Sequence, residues 1–264
     1  EEKMYGMLDL PFIAADPATL SDDFFQEQVR GELVINPVAL SEFENLLTRF
    51  DITGTEGILS FRGNLSGTAA EPNMDGVFEL RQPTLSGVKI DSAFAEFQYH
   101  HQQEKITAAA TINAQGQQAA SINAESPVYI DFQTFEFNPP NPTDTLIVHV
   151  VTDQFNISVF NDFLNKEYMR NLRGILNAEL HAEGPFNELE PSGFVSLHSG
   201  HLRVPVAGIS LTSINSELEF TDSGLNLNSF SMKSGGAFTA NGRIELNGLS
   251  PAGMNINANA TRFK

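Results

Sequence analysis

The chain reads as mainly β, one unit written twice, with a short amphipathic helix in each copy. Three observations predict this: apolar and polar residues alternate with period two, turn-forming residues separate the alternating runs, and matched residues recur at one constant spacing. "GILSFRGNLSG" at 57–67 returns as "GILNAELHAEG" at 174–184. Aligned without a gap, Gly57, Ile58, Leu59, Gly67, Glu71, Gly76, Leu80 and Leu85 fall on Gly174, Ile175, Leu176, Gly184, Glu188, Gly193, Leu197 and Leu202, each 117 residues on. Upstream, Ser41, Phe43, Leu46 and Leu47 fall on Ser158, Phe160, Phe163 and Leu164. The matches are turn glycines and aliphatics, where structure restricts residue choice. The spacing predicts a lead-in at 1–30, a first unit at 31–145 and a second at 146–264.

Each unit opens on a short strand, "GELVI" or "LIVHVV", then a cap residue and a helix. Asn36 followed by Pro37 is a helix-start signature, with Val38, Phe43, Leu46, Leu47 and Phe50 at helical spacing. In the second unit Asp153 stands as the cap before Phe155, Phe160, Phe163 and Leu164, so the helices should begin near Pro37 and Gln154. One apolar stripe per helix predicts that each lies against the sheet.

The first unit then alternates through Leu59, Phe61 and Leu65, through Ile106, Ala108, Ala110, Ile112 and Ala114, and through Val128, Ile130 and Phe132. "FNPPNPT" at 137–143 breaks the pattern, because proline cannot donate to a sheet ladder, and should link the units. In the second unit Leu176, Ala178, Leu180 and Ala182 share one face, while Asn177, Glu179, His181 and Glu183 share the other. The apolar set continues with Val195 and Leu197, with Leu202, Val204 and Val206, and with Ile214, Leu218 and Phe220. It runs on through Leu225 and Leu227, then Phe238, Ala240, Ile244 and Leu246, and ends with Met254, Ile256, Ala258 and Ala260. Near Ser229 the parity slips, since Phe230 and Met232 become the apolar residues, which predicts a bulge or break there.

Composition narrows the function. No apolar run approaches a membrane span, and "EEKMYGMLDL" lacks the basic start and apolar core of a signal peptide. A strand pattern stopping mid-run at "ANATRFK" points to a segment of something larger. Zero cysteines removes disulfides, thiol catalysis and cysteine metal sites. A formal charge of −18 argues against nucleic acid and against docking on anionic head groups. Six histidines include His181, His198 and His201, but parity places His198 among polar neighbours, so no metal site is expected. No nucleophile elbow, phosphate loop, dinucleotide fingerprint or zinc-protease motif appears, and the expectation is a protein without catalysis or cofactor.

The order of strand, Phe/Leu helix and Gly-Ile-Leu strand, followed by "GNLSGTAAEPNMDGVFEL" or "AEGPFNELEPSGFVSL", resembles the periplasmic repeats of the TamB/AsmA-like family. This is the inner-membrane subunit of the translocation and assembly module in Gram-negative envelopes. Gly67, Pro72 and Gly76, Gly184, Pro191 and Gly193, and the run Phe238 to Leu246 carry the resemblance, which covers roughly residues 31–264. It implies a long, curved, mostly antiparallel sheet, rolled like a taco or gutter with an apolar inside, and a membrane anchor outside this segment. It also implies phospholipid acyl chains as ligand and the module's outer-membrane barrel protein as partner.

The lining expected for a groove is Leu59, Phe61, Leu65, Leu176, Leu180, Val195, Leu197, Leu202, Val204, Leu218, Phe220, Leu225, Leu227, Phe238, Ile244, Leu246 and Ile256. Three functions compete: a lipid conduit between two membranes, a scaffold for assembly of outer-membrane β-proteins, and a structural or adhesin β-array with a filled core. The inward alanines are too small to fill a wide core, which favours an open groove or very close sheet contact.

Overall fold

The computed structural model describes residues 4–9, 25–50, 53–85, 88–132, 136–138, 141, 143–162, 164–185, 188–221, 224–247 and 250–263. Period-two alternation becomes strand throughout. A lead-in strand β1 (Met4–Asp9) precedes β2 (Gln28–Ala39), β3 (Glu56–Thr68), β4 (Pro72–Leu85), β5 (Val88–Lys89), β6 (Ser92–His100), β7 (Lys105–Ala114) and β8 (Gln117–Pro127). Two short strands follow, β9 (Tyr129–Asp131) and β10 (Glu136–Asn138). The second half contains β11 (Thr145–Asn156), β12 (Arg170–Pro185), β13 (Glu190–Val204), β14 (Ile209–Thr221), β15 (Gly224–Ser234), β16 (Gly236–Asn247) and β17 (Ser250–Thr261).

All but β9 and β10 join one 15-stranded antiparallel sheet, in the order β1-β2-β3-β4-β6-β7-β8-β11-β12-β13-β14-β15-β16-β17, with β5 paired to β4 alone. The sheet does not close, because β1 and β17 are its two ends. Short turns dictate the antiparallel order. Between β7 and β8, Gln115 and Gly116 both take positive φ (55° and 78°), the geometry of a two-residue hairpin loop.

The 117-residue spacing survives in three dimensions. Strand β2 at 28–39 and β11 at 145–156 coincide under it, and both precede a helical link and a long Gly-Ile-Leu strand. Backbone conformation repeats too: Gly57 and Gly174, Gly67 and Gly184, and Gln82 and Ser199 all take positive φ. Each link packs on the equivalent strand, the first on β3 and the second on β12.

The helix starts need correction. Strand β2 runs on through Asn36 and Pro37, bulging between Ile35 and Val38, so the N-cap position falls at Ala39 and not at Asn36. Helical turns begin at Leu40, as Leu40–Phe43, Glu44–Leu47 and Thr48–Phe50, and Leu40 is buried. The second link is a single 3-10 stretch, Ile157–Asp162, with the Ser158 amide donating to Asn156 Oδ1 at 3.0 Å; Asp153 and Gln154 belong to β11. In both cases the sheet ladder holds the chain longer than local capping chemistry suggests, because each further strand residue satisfies backbone groups on its neighbour. Phe163, with the side chains of Leu46 and Phe50, lies outside the described residues. Val206 also leaves the apolar set, in a 3-10 turn at Pro205–Ala207 with 61% of its surface exposed. Of the proline-rich break, Phe137 and Asn138 end β10, while residues 139, 140 and 142 lie outside the described residues.

Bulges curve the sheet. Register shifts fall between Thr152 and Phe155 in β11, at Ser199 in β13, near Ser213 in β14 and around Asn228 in β15, the last beside Ser229 where the parity slips. Each extra residue bends and twists its strand. Recurring in successive strands, they make an open gutter rather than a flat ribbon.

The chain exposes 16513 Å², more than the about 11,400 Å² of a compact protein of 28.9 kDa, in keeping with an open sheet. Few apolar side chains among the described residues are buried, Val29, Val38, Tyr99 and Ala178 among them.

Candidate apolar track

Directly opposed residues of antiparallel neighbours project from the same face, so pairing register assigns every strand residue to a side. One row crosses the sheet from end to end. It runs Met4, Ile35, Phe61, Phe78, Ala95, Ala110, Ile122, Val150, Leu180, Gly193, Phe220, Leu225, Ile244 and Met254, each the partner of the next. Every member is apolar or glycine. A parallel row passes through Leu33, Gly63, Gly76, Phe97, Ala108, Ala124, Val148, Ala182 and Pro191.

All seventeen expected lining residues lie on this face. Leu59, Phe61 and Leu65 face it from β3; Leu176 and Leu180 from β12; Val195 and Leu197 from β13; Leu218 and Phe220 from β14. Leu225 and Leu227 on β15, Phe238, Ile244 and Leu246 on β16, and Ile256 on β17 continue it. Leu202 and Val204 have the opposite sequence parity to Val195 and Leu197. The extra residue at Ser199 (φ 54°) turns them back to the same side, opposite Leu211 and Ile209. Each of the seventeen is half-buried, neither enclosed nor free. That is the signature of an open lined face.

Charge is segregated with equal strictness. Among the described strand residues of the sheet, the apolar face holds no Asp, Glu, Lys or Arg, and the few polar groups there are uncharged, such as Tyr99, Ser126, Thr152 and Ser216. The Thr152 hydroxyl is satisfied within the sheet, donating to the Ala119 carbonyl at 2.6 Å. Ion pairs sit on the opposite face: Lys105 with Glu125 at 2.6 Å, Arg81 with Glu79 at 2.8 Å and Arg62 with Glu32 at 3.8 Å. The Arg81 guanidinium, by hydrogen bond and charge, holds the Glu79 carboxyl below its ordinary value.

Two features shape the track. Near its β1 end an apolar hollow of 390 Å³ is lined by Gly6, Leu8, Leu33, Phe61, Gly63 and Phe97 among others. Phe61 and Phe97 lie flat across the sheet here, since a Cβ at Gly63 would meet the Phe61 ring at 2.6 Å and one at Gly76 would meet the Phe97 ring at 2.4 Å. Farther along, the segment carrying β9 and β10 leaves the sheet and covers one rim. Phe132 comes to 6.0 Å from the Tyr99 ring and 5.7 Å from His101, and Tyr99 is 1% exposed. Burial pushes the Tyr99 phenol above its ordinary value, and the Glu104 carboxylate adds to the rise. Sequence parity alone did not single out this rim.

The polar face has a basin of 750 Å³ over the join between the two halves, lined by Glu96, Glu125, His149, Glu179 and His181 among others. His149 and His181 are cross-strand neighbours with ring centroids 6.3 Å apart, each beside a glutamate. Among the described residues no three His, Asp or Glu side chains converge on a point where they could hold a metal ion. No helix among them is long and apolar enough to cross a membrane.

Comparison with known proteins gives no match: no family model, curated protein or solved structure aligns with this chain.

Proposed function

We propose that the gutter is a conduit for lipid acyl chains, its apolar rows forming a continuous track across the strands. One observation carries the reading: a side of the sheet that crosses every strand of the main path without a charged residue among those described and stays partly exposed. Exposing an acyl chain to water costs ~0.8 kcal/mol per CH₂, so a chain of about 16 carbons stands to lose on the order of 10 kcal/mol off the track. A single charge in the path would interrupt that gain, and the face has none among its described residues. A structural array with a filled core needs the same residues enclosed, which their half-burial opposes.

The pattern resemblance to TamB/AsmA-like repeats supports the same reading. On that reading the segment works in the periplasm of a Gram-negative bacterium, carries phospholipid between inner and outer membranes, and meets an outer-membrane barrel protein of the same module.

The test is site-specific photo-crosslinking in cells. A photoreactive residue at Leu180, Leu197, Leu218 or Leu227 should capture phospholipid, and one at Glu179 or Glu219 should not. Equal capture from both faces overturns the assignment.

A further inference from the structure

The polar face of the second half carries its charge unevenly. Strand β12 begins with Arg170 and Arg173 and ends with Glu179 and Glu183, while β13 runs the other way, from Glu190 to His198, His201 and Arg203. The strands are antiparallel, so their basic ends meet at one rim: Arg170 stands directly opposite Arg203, and Arg173 opposite His201. Sequence parity sets Arg170 and Arg173 on different sides, but the extra residue at Asn171 (φ 57°) turns both to the polar face. Lys233, opposite Thr212 on the same face, extends the patch to β15. No Asp or Glu occurs in 168–178 or in 191–216.

Like charges directly opposite each other across a sheet are destabilising. Arg170, Arg173 and Arg203 are exposed, and none of them pairs with a carboxylate among the described residues. The repeat shows that the fold does not require this charge. At the 117-residue spacing Arg173 and His201 fall on Glu56 and Thr84, likewise cross-strand partners, with the Thr84 hydroxyl 3.5 Å from the Glu56 carboxylate.

Apolar residues flank the arginines at the same rim. Before Arg170 the Asn165 carbonyl accepts from the Tyr168 and Met169 amides at 3.0 and 2.9 Å, and Asn165 Oδ1 accepts from the Glu167 amide at 3.0 Å. Arg170 Nε donates to the Lys166 carbonyl, which ties the guanidinium to this turn. After Arg203 the turn at Pro205–Ala207 closes with the Gly208 amide donating to the Pro205 carbonyl at 2.9 Å. The two turns hold Tyr168, Met169 and Val206 exposed beside the cations.

We propose that this rim is a docking surface for a bilayer that contains anionic phospholipid. Arg170 and Arg203 take a lipid phosphate between them, Arg173 and Lys233 reach neighbouring head groups, and Tyr168, Met169 and Val206 enter the interface. Guanidinium groups bind phosphate oxygens in bidentate fashion, and an anion between Arg170 and Arg203 relieves their repulsion. The apolar residues favour a bilayer over a nucleic acid, because a membrane interface buries them next to its phosphates. The overall charge of −18 by itself argues the other way. At physiological ionic strength, however, exposed charges beyond ~8 Å are largely screened, and six strand residues, about 20 Å, separate Arg173 from Glu179. Glu167 is the acid that the first turn itself carries. The proposal does not depend on what the track carries.

The experiment floats the whole chain with vesicles of phosphatidylcholine alone, or with phosphatidylglycerol as one lipid in three, at physiological salt. Binding to the mixed vesicles alone is expected, and Arg170→Ser with Arg203→Ser should weaken it at least about tenfold. Arg62→Ser with Arg81→Ser removes the same charge from the same face of the first half and should leave binding unchanged. Inorganic phosphate, matched in ionic strength by chloride, should not release the protein. The chain has no tryptophan, so Val206→Trp is a lone reporter whose emission should move to shorter wavelength on the mixed vesicles. Urea unfolding of the Arg170, Arg203 double variant checks its fold, and relief of the like-charge pair predicts an unchanged or higher midpoint. Failure to float with the mixed vesicles, equal loss in the Arg62, Arg81 variant, release by phosphate, tighter binding to an oligonucleotide, a silent Trp reporter or a lowered urea midpoint would each overturn the proposal.

Discussion

Replacing Leu180 by aspartate puts a carboxylate in the middle of the central row, between Val150 and Gly193, and separates an open track from a closed core. A fully buried leucine contributes about 1.5–3 kcal/mol, and Leu180 keeps a minor part of its surface in water, so its lost burial costs about 1–2.5 kcal/mol. Aspartate in a strand adds up to about 1 kcal/mol. Because the face is open, the carboxylate keeps its water, and the sum stays near 2–3 kcal/mol. In an enclosed core the unpaired charge would add several kcal/mol more and take the total past about 5 kcal/mol, where a marginally stable chain no longer folds. The assay is urea unfolding followed by circular dichroism, comparing the midpoint at unchanged slope. Tyr99→Ala is the internal contrast, since Tyr99 is 1% exposed and truncating a large buried aromatic costs about 3–5 kcal/mol. Should Leu180→Asp prove as damaging as Tyr99→Ala, or worse, the open-gutter reasoning fails.

Three further outcomes are expected. Gly193→Ala should destabilise more than Gly116→Ala, because both positions have positive φ but a Cβ at Gly193 would stand 2.0 Å from the Glu179 carbonyl oxygen, and one at Gly116 meets nothing within 4 Å; urea midpoints compare them. The Tyr99 phenol has its folded pKa raised by burial, so the stability tied to its neutral form is complete below the unfolded value of about 10 and is lost as pH rises through the folded value. Tyr99→Phe should remove the corresponding late step from a spectrophotometric alkaline titration and blunt the alkaline loss of stability. Lys105→Met should shift stability by less than about 1 kcal/mol despite the 2.6 Å pair with Glu125, since both groups are part-exposed; a larger loss in thermal unfolding would show that pair to be structural.

Period-two alternation, turn chemistry and the 117-residue spacing made the strands, their apolar side and the repeated plan legible in the residues alone. These are local properties: a residue's face follows from its neighbours along the strand, and glycine marks where the backbone must turn. The slip at Ser229 was legible for the same reason, since apolar residues on both sides change parity there. Local rules failed where two local signals competed. Asn36 and Pro37 carry helix-start chemistry, but they sit in a strand whose ladder to β3 continues past them.

Nonlocal placement needed the tertiary structure. Alternation is the same whether a sheet folds onto itself or stays open, and in the sequence only the small inward alanines leaned toward a groove; the partial exposure of all seventeen lining residues supports the open form. That Leu202 and Val204 share a face with Val195 and Leu197 depends on one residue, Ser199, taking positive φ against its neighbour strand. That β11 reaches past β9 and β10 to pair with β8 was hidden because strand partners are chosen by competition for one row of backbone groups. Composition determines which segments can be strands. Which of them wins an edge is decided by what else the fold brings there.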